Sequence, residues 1–167
     1  MVETAALLRQ PVQAHLRTLQ AHRVPCIFRH QLRVTITIGP KWHAWRLVNG
    51  WKSQGWDIQW AEAIGFKLLV LALCDISKRG EHLTVYGDNR GIVEGWWKWS
   101  SANKPTNKVF HHVLKLSEDS DRTIHTKYVP SEQNPADDPS RGCYPSFDLL
   151  LSRIPMPHKV RPFIINI

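Results

Sequence analysis

Apolar and polar residues alternate strictly along Val34-Thr-Ile-Thr-Ile38, and Gly39-Pro40 punctuates the run. Period two with β-branched residues predicts a strand closed by a tight turn. Beyond the turn, Lys41 to Val48 alternates again with Trp45 and Leu47 on one side, and Asn49-Gly50 ends it. The two segments read as an antiparallel hairpin. From Ile58 to Cys74 the chain is apolar almost all round and Asp57 stands where a helix cap belongs, which predicts a buried helix packed on a sheet. His82 to Gly87 reads as a short strand and Gly91 to Trp99 as a helix. Asn103 to Asn107 reads as a loop, and Asn107 to Leu116 as a helix with Val109, Phe110, Val113, Leu114 and Leu116 inward. Thr123 to Val129 reads as a strand that Pro130 stops. In the first twenty residues Leu7, Leu8, Val12, Leu16 and Leu19 recur at spacings of three and four, a helical pattern interrupted by Pro11.

Two antiparallel strands followed by alternating helices and strands predict an α/β fold, a mixed β-sheet flanked by helices. The expected organisation is an N-terminal extension over 1–33, partly helical, one domain over 34–142 and a Pro-rich C-terminal tail over 143–167. No internal repeat interrupts this order.

Composition narrows the class. The 167 residues carry a formal net charge of +8, and that charge is unevenly placed. From Met1 to Trp56 eight Lys and Arg face a single carboxylate, Glu3, whereas the remainder is nearly balanced, so chemistry that needs several carboxylates must come from Asp57 onward. The longest apolar run, Leu68 to Cys74, is far short of the ~20 residues that a membrane-spanning helix needs. No membrane span is expected, nor is export, since the first residues do not read as a secretory signal; an intracellular site, cytoplasmic or nuclear, is the expectation. Cys26, Cys74 and Cys143 are scattered and form no CxxC pair, which argues for reduced thiols and against a structural zinc site. There is no Gly-x-Ser-x-Gly elbow and no phosphate-cradling loop.

Three carboxylates stand where this order of elements would gather them. Glu62 lies in an apolar stretch of the long helix, Asp88 follows a strand at the end where open α/β sheets bind ligands, and Asp137 follows the last strand in Asn134-Pro-Ala-Asp-Asp138. Taken singly, each has an ordinary reading: a solvent-facing helix residue, a turn or cap residue, an Asx-turn residue. Converging carboxylates without a Cys or His cluster favour Mg²⁺ or Mn²⁺, and two such ions can drive an in-line phosphodiester displacement.

Three blocks carry a family resemblance: Trp60-Ala-Glu-Ala-Ile-Gly65, Val85-Tyr-Gly-Asp-Asn-Arg-Gly-Ile-Val93 and Tyr128-Val-Pro-Ser-Glu-Gln-Asn-Pro-Ala-Asp-Asp-Pro-Ser-Arg141. Over Val34 to Gly142 the chain resembles the ribonuclease H domain of retroelement (retrotransposon) reverse transcriptase polyproteins, with the last block most like retrotransposons of fungal or similar genomes. The resemblance implies a ribonuclease H-like fold and Mg²⁺- or Mn²⁺-dependent hydrolysis of RNA in RNA–DNA hybrids, with Glu62, Asp88 and Asp137 as catalytic metal ligands; Asp138 is the neighbouring alternative to Asp137. It also implies a first strand bearing an Asp that bridges both metals. No Asp precedes Asp57, so the first strand is expected to be missing or replaced and hydrolysis to be weak or lost.

Aromatic and basic residues supply a candidate interface. Eight Trp fall at 42 to 60 and at 96 to 99; Trp45 and Trp60 are expected in the core, whereas Trp96-Trp-Lys-Trp99 points in several directions on a helix and must leave an indole near the surface. Arg90, Trp97, Lys98, Lys104 and Lys108 are the candidate nucleic-acid-binding residues, with the indole stacking on bases or sugars and the cations meeting phosphates. An aromatic patch packed on the C-terminal tail is the structural alternative. The rivals to an enzyme are a non-catalytic nucleic-acid-binding or interaction module and a decayed transposon fragment.

Overall fold

The computed structural model describes residues 13–20, 32–152 and 154–167, and within 13–20 it describes the backbone and the side chain of Ala14. The expected hairpin is present: β1 (Gln13–Gln20) precedes β2 (Leu32–Ile38), and β2 turns at Gly39, φ +58°, into β3 (Lys41–Leu47). After β3 come α1 (Ile58–Ile76), β4 (His82–Gly87), α2 (Arg90–Lys98), α3 (Lys104–Asp119), β5 (Thr123–Tyr128), the one-turn α4 (Asp137–Ser140) and β6 (Ile164–Asn166). They form one six-stranded sheet in the order β5-β4-β1-β2-β3-β6. β1 runs antiparallel to β2 and parallel to β4; β4 and β5 are parallel, and β2, β3 and β6 are antiparallel neighbours.

β1 corrects the expectations for the N-terminal segment. Gln13–Gln20 is a strand, not a helix, and it sits inside the sheet, so the place of a first strand is filled. Its leucines at 16 and 19 fit helical spacing, but pairing on both sides satisfies the backbone of an extended segment and outweighs that local preference. The helical pattern from Val2 to Val12 lies outside the described residues, as do Glu3 and Cys26.

α1 lies on one face of the sheet and packs on β1, β2, α2 and α3. Asp57 caps it, accepting from the Trp60 amide at 3.0 Å, and its second oxygen accepts from Asn103 Nδ2 at 2.6 Å, which ties the start of α1 to the cap of α3. α3 begins earlier than the pattern suggests. Asn103 accepts from the Thr106 amide at 2.9 Å and Pro105 occupies the first turn, where its missing N–H costs nothing, so a stretch with loop composition is a helix start. The core between sheet and helices is built on Val34, Ile36, Trp45, Phe66, Leu68, Leu69, Leu73, Leu83 and Val113.

Alternation in β2 suggests one buried face, yet every residue of β2 is buried. The second face is covered by the chain after β5: Thr35 Oγ1 donates to the Ala136 carbonyl at 2.9 Å, Trp42 stacks on Tyr144 at 5.0 Å, and Trp42 Nε1 donates to the Ser146 carbonyl at 3.1 Å. The segment read as a Pro-rich tail is therefore part of the folded body. It brings Leu151, Ile154, Val160 and Ile164 into the core, sets Phe163 edge-on to Trp56, and adds β6 to the edge of β3.

Buried beside this seam, the ring of His43 lies 4.5 Å from that of Trp45 and neither ring nitrogen has a well-formed hydrogen bond among the described residues. Burial holds its pKa below the ordinary 6.5, and the nearby Leu151 backbone and Asn166 side chain oppose that only in part. The folded chain thus favours neutral His43, whereas the unfolded chain takes up a proton near 6.5, so stability conferred above that pH falls as pH drops through it. His43→Phe should flatten the loss of stability between about pH 7.5 and 5.5 seen in urea titrations; an unchanged slope contradicts a neutral buried His43.

Candidate functional site

The three candidate carboxylates occupy the end of the sheet where β4 finishes. Glu62, in the second turn of α1, is buried, and it shares a small cavity with Gly87, Asn89, Ile92 and Thr126. Its neighbours thus come from the β4–α2 junction. A buried carboxylate carries a large desolvation cost, so its surroundings must compensate its charge. α1 and α2 approach closely there: a Cβ at Gly91 would lie 2.8 Å from the Gln59 amide. Asp88 is the first residue beyond β4 and is half-buried; Ser131 Oγ donates to its Oδ2 at 3.0 Å, fastening this junction to the loop after β5.

Asp137 opens α4, which packs on β1 and β2. Arg141 Nε stands 2.9 Å from Asp137 Oδ2, and Asn134, itself buried, receives the Ala136 amide at 3.1 Å. Of the two adjacent aspartates, Asp137 is the partly enclosed one, its side chain 17% exposed, whereas Asp138 faces solvent. The sequence order does bring the three carrier elements to one end of the sheet. It does not bring the carboxylates into a ligand set: among the described residues no group of three or more His, Cys, Asp or Glu side chains is placed to hold a metal ion.

β1 accounts for much of this. Its residues read Gln-Ala-His-Leu-Arg-Thr-Leu-Gln, without a carboxylate. Leu16 pairs with Gly87, the residue before Asp88, and the next position, Arg17, pairs with Thr35, whose hydroxyl bonds the residue before Asp137. An arginine therefore occupies the strand position between the Asp88 and Asp137 elements. With Asp137 engaged by Arg141, Asp88 by Ser131, and no acidic residue in the central strand, these residues do not fit a pair of divalent metal ions.

The candidate nucleic-acid-binding residues lie on α2 and α3. Trp96 is buried, with its Nε1 donating to the Ile124 carbonyl at 3.0 Å, while Trp97 is 60% exposed, anchored by its Nε1 on the Thr126 carbonyl at 3.0 Å. Trp99 is also exposed and closes α2 in the left-handed region at φ 53°. The C-terminal segment packs on Trp42, Trp56 and Trp60 and leaves this patch open. Arg90 lies over the Tyr128 ring at 4.2 Å, a pairing that no sequence spacing signals. Glu94 stands 3.7 Å from both Arg90 and Lys98, a bridge legible from the i,i+4 spacing but weak at such exposure. Lys104 and Lys108 are exposed one turn apart on α3.

Comparison with known proteins agrees with this architecture. A family model described as the C-terminal domain of viral DNA polymerase matches residues 107–165. Ribonuclease H1 from the halophilic archaeon Halobacterium salinarum superposes with a TM-score of 0.53 at 14% identity, over 78% of this chain and 93% of that one. The N-terminal ribonuclease H domain of a Mycobacterium tuberculosis protein, solved as a fusion with maltose-binding protein, gives 0.48 at 15% identity over 78% and 97%. No curated protein matches the sequence. The fold is ribonuclease H-like.

Because the Thr35–Ala136 bond is buried and holds the loop that carries Asp137, Thr35→Val should cost about 0.5–1.5 kcal/mol and speed amide hydrogen exchange selectively over 134–141. Uniform acceleration across the sheet would contradict that anchoring role.

Proposed function

We propose that this chain is the ribonuclease H-like domain of a reverse-transcribing element's polymerase polyprotein, of retrotransposon type, that binds RNA–DNA hybrid and hydrolyses its RNA weakly or not at all. Descent from a Mg²⁺- or Mn²⁺-dependent endonuclease is supported by the fold, by the viral polymerase match over 107–165, and by Glu62, Asp88 and Asp137 at the end of β4. The observation that carries the loss of activity is the composition of β1: the strand paired with β4 beside Asp88 holds no carboxylate, and Arg17 follows the residue that pairs with Gly87.

Binding is supported by exposed Trp97 beside Lys98 and Arg90 on α2, and Lys104 and Lys108 on α3. An indole fixed at its Nε1 offers a ring face for stacking without loss of further freedom, and the cations supply a salt-dependent attraction for phosphates. A binding module without catalysis and a weak nuclease differ only in residual turnover.

Labelled RNA–DNA hybrid incubated with the purified chain and Mg²⁺ or Mn²⁺ should be bound, with affinity falling steeply as salt rises, and cleaved at no more than trace rates that Asp88→Asn leaves unchanged. Trp97→Ala combined with Lys98→Ala should weaken binding by about 10-fold or more, in line with ~1–3 kcal/mol per stacked base. Cleavage at ordinary enzyme rates, abolished by Asp88→Asn, would overturn the proposal.

A further inference from the structure

On another side of α1 the structure holds a second concave site that the reading above does not use. Lys67 is five residues beyond Glu62, about 140° round the helix, so the two belong to different faces. Lys67 lines an open cavity of about 410 Å³ between α1, α3 and the chain at Pro155 to Pro157. The floor is apolar, with Leu71 and Met156. The rim carries two lysines, Lys67 from α1 and Lys115 from α3, with the imidazole of His112 between them as a neutral donor. Lys159 lies close enough to repel both Lys67 and His112.

The charge of this rim is not settled by the protein. Lys67 is half-buried, and among the described residues neither it, Lys115 nor Lys159 has a carboxylate within ion-pair distance; Asp119, the one acidic residue of the lining, makes no such pair. Burial, then Lys159, holds the Lys67 amine below its ordinary pKa. His112 is held down by burial, then by Lys67, Lys159 and His111. Positive groups gathered at the mouth of a concavity, at a cost in mutual repulsion, are arranged for an anion. An apolar floor of this size suits a ligand that also carries a flat apolar body, and the volume lies within the usual range for small-ligand sites.

We propose that this cavity binds a nucleotide, with its phosphate among Lys67, His112 and Lys115 and its base on the Leu71–Met156 floor. Asp119, at the same rim, is an acceptor for ribose hydroxyls. The phosphate can belong to a free nucleotide or to the terminus of a single strand; the recognition chemistry is the same. The site shares no residue with the hybrid-binding set of Arg90, Trp97, Lys98, Lys104 and Lys108, although Lys108 stands one turn before His112 on the same face of α3.

Calorimetric titration of the full chain tests it with AMP, inorganic phosphate, adenosine and a 5′-phosphorylated oligothymidylate. AMP should bind at least 10-fold more tightly than either phosphate or adenosine, since only AMP engages both rim and floor. Lys67→Met should weaken AMP by at least 5-fold with an unchanged melting temperature, and Met156→Asp should weaken it with the cations intact. Oligothymidylate binding that is tighter than AMP and is weakened by Lys67→Met assigns the site to strand ends, and AMP binding the tighter of the two assigns it to free nucleotides; either supports the proposal, whereas oligothymidylate binding indifferent to Lys67→Met belongs to the Trp97 face and counts against strand ends in the cavity. AMP no tighter than phosphate, or AMP affinity indifferent to Lys67→Met, overturns it.

Discussion

The structure depends on the pairing of β1 in the middle of the sheet. β1 joins an antiparallel half, β2, β3 and β6, to a parallel half, β4 and β5. Without it the two halves would each present an unpaired edge to the other, and α1, which packs on β1 and β2, would have no continuous surface beneath it. The same register fixes the site. Pairing of Leu16 with Gly87 and of Arg17 with Thr35 determines which β1 residue stands between the element bearing Asp88 and the one bearing Asp137.

Much of the fold was legible in the residues. The β2–β3 hairpin, the Asp57 cap of α1, the strand ending at Gly87 and the order of later elements follow from local periodicity and turn residues, which tertiary packing here reinforces. β1 was not legible, because Leu16 and Leu19 suit a helix as well as a strand and its pairing partners are distant in sequence. β6 was hidden for a related reason: three residues after a run of prolines carry too little pattern, and their strand character comes from the edge of β3. The candidate site was legible in its parts. That no Asp stands before Asp57 in this sequence could be read directly, but that Arg17 takes the register position next to the one paired with Gly87 is a property of the sheet.

The charge pattern gains meaning from this arrangement. The excess of cations over the first 56 residues reflects the absence of acidic residues other than Glu3, and part of it enters the structure as β1 and β2. Elsewhere positive charge falls in two groups: exposed cations beside Trp97 on α2, and a stripe along one face of α3 in which Lys104 and Lys108 run on to Lys115 at the cavity that Lys67 also lines. The former has its repulsion moderated by Glu94, whereas the latter has no ion-paired carboxylate among the described residues.

The central proposal is that a central strand lacking a carboxylate keeps the described residues of this ribonuclease H-like fold from holding a divalent metal ion. Calorimetric titration of Mn²⁺ into the native chain and into Arg17→Asp tests it most directly. The account predicts no saturable binding to the native chain up to millimolar Mn²⁺, and a saturable site in Arg17→Asp that a further Asp88→Asn removes. Saturable binding of Mn²⁺ to the native chain, lost on Asp88→Asn, would contradict it.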